Sequence, residues 1–412
     1  MGRYTPSGDA KSGKGGKGGK GGKGTGDGEI VTVNFDQGLP DPRLFPVEAL
    51  RRCLVETLDV DGAAALTYYG RGGPPEMQYG YLGLREQLAA WTSRRDDRAI
   101  DPAGVVLANG STDGLALAVR AHLAPGDGAI VEAATYPHTR TFMLAAGAVV
   151  RTVPLDEHGM VVDALPDVLG ALRADGVRPK MIYTIPSFQS PTGTLLPLDR
   201  RERLLDLARE WDFMVLEDNC YHEFFYDGPP PPTLLALDGS DRVLQSDTFS
   251  KSIVPGLRMA WVVGPPPLVD AIARTRQDFA VSQLIARALE RYMERGDFGQ
   301  HLVELRVAYK RKRDITAAAL REHCAGWVRF QVPAGGFYFW LELADVVDWE
   351  RARDNLADRG IAYRPGDTFV GDESGRRFVR ISPIQVADAD IEPGLAALGE
   401  ALAAAATRRW RS

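Results

Sequence analysis

The sequence predicts an α/β protein built on a large, mainly parallel sheet, with a smaller α+β portion toward the C-terminal end. Six short apolar runs carry the first part of that reading: Gly104–Leu107, Ala129–Glu132, Met181–Thr184, Phe213–Leu216, Val243–Gln245 and Arg258–Val263. Each is bounded by Gly, Pro or Asp, and each has the length and unbroken apolar character of a strand buried on both faces. Amphipathic stretches such as Gly83–Trp91 and Leu198–Trp211 alternate with them, as helices packed on a parallel sheet would. A long helical tract follows from about Leu268 to Glu322, broken near Gly296. Beyond it come a strand-rich segment, Val328–Leu343 with Arg377–Ile381, and a terminal helix. From about Ile30 onward the chain shows no further linker and no internal repeat.

Before Ile30 the pattern is different. Lys11 to Gly24 repeats Gly-Gly-Lys with no apolar residue, so burial cannot offset the entropy of ordering it. The expectation is a disordered, solvated tail over residues 1–29. The first thirty residues carry a net charge of +3, and the whole chain of 412 residues carries −6. The body is therefore about −9, which argues against a general nucleic-acid binder. No apolar run approaches the roughly 18 residues needed to cross a bilayer, so no membrane role is expected. Cys53, Cys220 and Cys324 are odd in number, far apart and without zinc-ligand spacing. They point to a reducing, cytoplasmic setting with no structural metal.

Three stretches carry chemistry. Ser246-Asp247-Thr248-Phe249-Ser250-Lys251, with Arg258 seven residues on, joins an amine able to form a Schiff base with hydroxyls and a guanidinium suited to a phosphate. Alone, a Ser-Lys pair reads as ordinary surface. Asn109-Gly110-Ser111-Thr112-Asp113-Gly114 lies between a strand and a helix-periodic segment, so free N–H groups and the helix dipole would favour an anion there. Its plainer reading is an N-cap. The strand Phe213–Leu216 runs into Glu217-Asp218-Asn219-Cys220-Tyr221, placing a carboxylate where open α/β sheets hold ligands.

Together with further motifs in order, these stretches resemble the class I/II aminotransferases, pyridoxal 5′-phosphate (PLP) enzymes of fold type I. The motifs are Gly38-Leu39-Pro40-Asp41-Pro42; Leu66-Thr67-Tyr68-Tyr69-Gly70 with Gly83-Leu84-Arg85; Ala134-Thr135-Tyr136; Pro186 to Gly193; Pro333-Ala334-Gly335-Gly336-Phe337; Pro365-Gly366; and Arg380-Ile381-Ser382. The resemblance spans about Val33 to Ile384. It implies a seven-stranded, mainly parallel large domain over 61–294. It further implies a smaller α+β domain over 295–412 and an N-terminal arm, 30–60, joining the small domain. Carried over residue by residue, it implies that Lys251 binds PLP as a Schiff base and moves the substrate Cα proton. Asp218 would pair with the pyridinium nitrogen, Tyr221 would hydrogen-bond the phenolic oxygen and Tyr136 would stack on the ring. Ser111, Thr112, Thr248, Ser250 and Arg258 would surround the phosphate, with Tyr69 reaching in from the second subunit of a homodimer. Arg380, beside the Gly38 backbone, would clamp the α-carboxylate of an L-amino acid.

The sequence also departs from the family pattern. The family usually has Asn-Pro-x-Gly where this chain reads Ser190-Pro191-Thr192-Gly193, and a serine hydroxyl reaches less far than a carboxamide toward the phenolic oxygen. A Pro/Gly-rich insertion, Arg71 to Gln78, lies near the expected site mouth. His138 and His222 are weaker candidates beside the site. The expected activity is transamination to a 2-oxo acid. The alternative is a diverted PLP reaction of specialised metabolism, such as β- or γ-elimination, replacement or ring formation, with a second co-substrate that could be S-adenosylmethionine. An aminotransferase-like regulator is a third reading, disfavoured because the Gly/Lys segment cannot form a helix-turn-helix.

Overall fold

In the computed structural model, which describes residues 33–68, 76–278 and 281–407, the predicted apolar runs pair into one sheet. Its strands are β1 (Val105–Ala108), β2 (Gly128–Glu132), β3 (Val149–Val153), β4 (Pro179–Thr184), β5 (Met214–Asp218), β6 (Val243–Thr248) and β7 (Ala260–Val263). The order across the sheet is β1-β7-β6-β5-β4-β2-β3, parallel throughout except for β7, which runs antiparallel to both neighbours. Strands β1, β2, β5, β6 and β7 are buried along their whole length between two helix layers, apolar through most of β1, β2 and β7 and polar at the carboxyl ends of β5 and β6. The six expected strands are all present. The seventh, β3, is an edge strand whose Arg151 and Thr152 face solvent, which is why it gives no unbroken apolar run. The architecture is α/β with a mostly parallel seven-stranded central sheet, as expected.

A second sheet, antiparallel, follows. It contains β8 (Val328–Arg329), β9 (Phe339–Leu343), β10 (Arg364–Pro365) and β11 (Phe378–Ile381) in the order β8-β9-β11-β10. Its apolar core is separate from that of the large sheet and includes Phe339, Leu341, Val379 and Ile381. Helix Asp388–Ala405 covers it, and Val33 and Phe35 from the N-terminal side complete it. Residues Val33–Asn34 pair in parallel with Ile361–Ala362. The chain passes from one core to the other between Tyr338 and Phe339.

The expected helical tract is three helices, Pro266–Thr275, Gln283–Glu294 and Asp297–His323. The break at Gly296 is where the sequence places it, and there is a second break after Thr275. Helix Leu198–Trp211 has the predicted limits and carries Arg201, whose side chain is fully buried without a hydrogen-bonded carboxylate. Its guanidinium donates to the carbonyls of Leu196 (2.9 Å), Pro186 (2.9 Å) and Pro232 (3.2 Å) and to Ser187 Oγ (2.9 Å). Burial pulls its pKa down to about 10, against the opposing effect of Glu217. This buried fork ties down the loop after β4, the segment that carries Ser190. No helix among the described residues is long and apolar enough to cross a membrane.

Candidate active site

The carboxyl ends of β5 and β6 and the N-terminus of helix Ser111–His122 open on a cavity of about 350 Å³. Ser111, Thr112, Tyr136, Ser190, Asp218, Tyr221, Ser250, Lys251, Arg258 and Arg380 all line it. Residues predicted from separate motifs are thus gathered at one place. Thr248 stays behind the wall, where its Oγ1 accepts from the Ser250 N–H at 3.0 Å. Gly38 contributes its carbonyl, which accepts from Lys251 Nζ at 2.6 Å. Tyr69, with the insertion up to Pro75, lies outside the described residues.

Two groups of residues test the fit of a phosphorylated pyridine. At one end, the first N–H groups of helix Ser111–His122 have no intrahelical acceptor and face Ser250 and Arg258 across the cavity. Gly110 is required there. Its φ is +92°, and a Cβ would lie 2.1 Å from Arg258 Nη2. Arg258 itself adopts φ +50° and donates from Nη2 to the Asn109 carbonyl at 3.0 Å. A non-glycine residue in that region is strained, and the result is a guanidinium held beside a helix N-terminus.

At the other end lies Asp218, only 3% exposed. Burial raises its pKa, while the Tyr183 hydroxyl donating to Oδ2 at 2.8 Å, contacts from Cys220 and the charge of Lys251 oppose that rise. Tyr183 is pushed well above its ordinary value, first by burial and then by the Asp218 charge. A cationic ring nitrogen would satisfy this carboxylate better than any neutral group. The residues present fit PLP at both ends.

Several functional groups escaped the sequence reading. Tyr183 reads as core inside β4, and Tyr338 reads as core beside Phe337 and Phe339. Arg364 also lines the cavity, directly opposite Arg380 on the adjacent strand. Asp36 holds both arginines: its carboxylate pairs with Arg364 (2.6 and 2.9 Å) and its carbonyl accepts from Arg380 Nη2 at 2.8 Å. His138 lines the cavity next to Tyr136. His222 does not; it is buried against Ser187 Oγ at 3.1 Å, and burial holds its pKa well below the ordinary value.

The chain matches the family model for aminotransferases of class I and II over residues 76–398. It is 33% identical over 371 residues to the aromatic-amino-acid aminotransferase 1 of Thermococcus litoralis, covering 89% of this chain and 86% of that one. Among solved structures it superposes on a multiple-substrate aminotransferase from Thermococcus profundus with a TM-score of 0.83 and 32% identity, over 90% of this chain and 91% of that one. A TM-score of 0.81 and 30% identity relate it to an α-aminoadipate aminotransferase from Thermus thermophilus, complexed with N-(5′-phosphopyridoxyl)-L-leucine, over 90% and 92% of the two chains. The chain belongs to the class I and II aminotransferase family. It is a PLP-dependent transferase acting on an amino acid, with a 2-oxo acid as the other substrate class.

Beneath the site, Glu132 at the end of β2 is fully buried. It accepts from Thr184 Oγ1 at 2.7 Å and from Gln189 Nε2 at 2.8 Å, and Gln189 directly precedes Ser190. Burial pushes its carboxyl from an ordinary 4.5 up to about 7 despite those hydrogen bonds. An acid that holds its proton more tightly when folded contributes stability below pH 4.5 that is lost as pH rises through 7. Glu132→Gln, neutral throughout, should therefore flatten the fall in unfolding free energy between pH 5 and pH 8 by on the order of 2–3 kcal/mol. Urea titrations at the two pH values measure this, and identical slopes in both proteins would refute it.

Proposed function

We propose that this aminotransferase works through the residues around Lys251. The observation that carries the reading is that Lys251, the buried carboxylate of Asp218 and the guanidinium of Arg380 open on one cavity. Arg380 is 7% exposed and its Nε has no hydrogen-bond partner, so a buried cation there awaits an anion. When bound, PLP supplies an electron-withdrawing ring that takes up the electron pair left as the amino acid loses its Cα proton.

The chain's own residues do the rest. Lys251 holds the cofactor through Nζ and, once released by substrate, takes the Cα proton and returns it. Asp218 keeps the ring nitrogen protonated, and Tyr221 donates to the phenolic oxygen. Tyr136, its hydroxyl 3.1 Å from Thr112 Oγ1, packs on the ring face. Ser111, Thr112, Ser250 and Arg258 bind the phosphate, with Thr248 holding the Ser250 loop in place. Ser190, which lines the same cavity, would approach the phenolic oxygen with a shorter reach than a carboxamide. The Gly38 carbonyl accepts from the lysine amine at 2.6 Å.

Arg380 takes the substrate α-carboxylate as a charge-assisted pair. The side chain then runs toward Ile185, His138, Phe369 and Arg364. That wall suits a long side chain ending in a ring or a second carboxylate, in keeping with the substrates named for the two relatives from Thermococcus litoralis and Thermus thermophilus. Two separate apolar cores support a large and a small domain of the expected kind. Leu50, Cys53 and the first half of helix Asp297–His323 belong to the large core, rather than to the arm and small domain of the bounds 30–60, 61–294 and 295–412. A homodimer with Tyr69 shared across the interface is supported by the exposed Val47, Val55, Leu58, Val60, Leu66 and Tyr68, all in the stretch leading to Tyr69. Three free cysteines suit a cytoplasmic enzyme.

Lys251→Ala should lose both the visible absorbance of lysine-bound cofactor and all turnover; normal turnover would remove the reading. Arg380→Ala should raise KM for every amino acid about ten- to a hundredfold, as loss of a charge-assisted contact does. Arg364→Ala should raise KM for 2-aminoadipate alone, and an equal rise for phenylalanine would exclude the proposed carboxylate contact. Light scattering should give twice 44.9 kDa, whereas a monomer would exclude the shared Tyr69.

A further inference from the structure

Two tyrosines 117 residues apart in the sequence meet in the wall of the cavity that Lys251 also lines. The hydroxyls of Tyr221 and Tyr338 lie 2.8 Å apart, both buried, with the rings edge to face at 5.4 Å and 78°. One of them must donate and the other accept. The surroundings decide which.

The guanidinium of Arg380 lies 4.3 Å from the centroid of the Tyr338 ring. A cation over a phenol draws electron density from the ring and makes its hydroxyl the better donor. Tyr221 packs against the rings of Phe337 and Tyr338. Tyr338 is therefore the donor, and Tyr221 accepts while keeping its own hydrogen free. A hydroxyl that accepts one hydrogen bond donates the next more strongly.

The backbone is shaped for this seat. A Cβ on Gly38 would lie 1.9 Å from the Tyr338 hydroxyl, so only glycine lets that oxygen reach Tyr221. The same Gly38 carbonyl accepts from Lys251 Nζ. The other ionisable groups acting on the pair are Arg380 from β11 and Cys220 just after β5 on Tyr221, and Tyr136, which faces Tyr338.

We propose that Tyr338 is a positioning residue for the reaction: its hydroxyl donates to Tyr221 and thereby turns the Tyr221 hydrogen into the cavity, toward the phenolic oxygen of the cofactor. This rests on the roles proposed above for Lys251 and Tyr221. Tyr338 need not touch the cofactor; it acts through Tyr221.

The test is a pH titration of the visible absorbance of PLP-loaded enzyme in the wild type, Tyr338→Phe, Tyr221→Phe and the double variant. Phe keeps the ring that packs under Arg380 and removes only the oxygen, and thermal melts check that each variant is folded. With weaker donation from Tyr221, the phenolic oxygen is more basic and the proton it shares with the lysine nitrogen is held to higher pH. The proton-release constant should fall about three- to tenfold in Tyr338→Phe, the worth of one buried hydrogen bond. Adding Tyr338→Phe to Tyr221→Phe should change nothing further. A wild-type constant in Tyr338→Phe would overturn the proposal. So would an equal effect of Tyr338→Phe with and without Tyr221, since that would make Tyr338 act by packing or through Arg380. If the wild type itself shows no lysine-bound absorbance, the failure belongs to the Lys251 reading instead.

Discussion

Asp218 lies at the end of the middle strand of the large sheet, nearly inaccessible to water, and its charge there is costly unless partners oppose the cost. Tyr183 supplies one such partner from the adjacent strand, in a hydrogen bond that the parallel register of β4 and β5 makes possible. Lys251 supplies an opposite charge from the short helix that follows β6. These partners leave the carboxylate short of one cation. A cofactor ring nitrogen would supply it, and the other proposed site residues line the same cavity.

The rest of the site depends on loops held rigidly in place. Arg201 ties the loop after β4 to a helix through four hydrogen bonds. Gln189 joins that loop to Glu132 and Ala134 with its amide, while its carbonyl oxygen accepts from Thr192 N and Oγ1 at 2.9 and 2.7 Å. Ser190 is therefore presented by a fully braced segment, and its short side chain sits in a fixed position. The N-terminal segment plays the corresponding part on the other side. It pairs with the C-terminal portion at Val33–Asn34, then crosses the two arginines at Asp36 and reaches Lys251 at Gly38.

Charge balance across the cavity follows from the same arrangement. Arg364 and Arg380 stand directly opposite on neighbouring strands, a pairing of like charges that disfavours the sheet unless it is neutralised. Asp36 neutralises one of them with its carboxylate and offers only a carbonyl to the other. The cavity wall therefore keeps a positive charge at Arg380 without a paired carboxylate, which supports the proposal that a substrate carboxylate binds there.

The local pattern of the sequence determined a good deal. Largely apolar runs of three to six residues marked β1, β2 and β4 to β7, because a strand buried on both faces is mostly apolar; the polar ends of β5 and β6 are buried as well. The periodicity of Leu198–Trp211 marked a helix for a similar reason, and ordered motifs marked Lys251, Asp218, Ser111 and Arg380. The edge strand β3 was illegible because it is exposed at the rim of the sheet, where the consecutive Arg151 and Thr152, pointing to opposite faces, both meet water and interrupt the run. Tyr183, Tyr338, Glu132 and Arg364 were illegible as site residues for a different reason. Each sits in or beside a strand, where its neighbours look like core, and each gains its role from a partner far along the chain: Tyr338 from Tyr221, 117 residues away, and Arg364 from Asp36, 328 residues away. Burial of an element is written into local composition, whereas a hydrogen bond between two elements exists only once sheet order and packing have brought them within 3 Å.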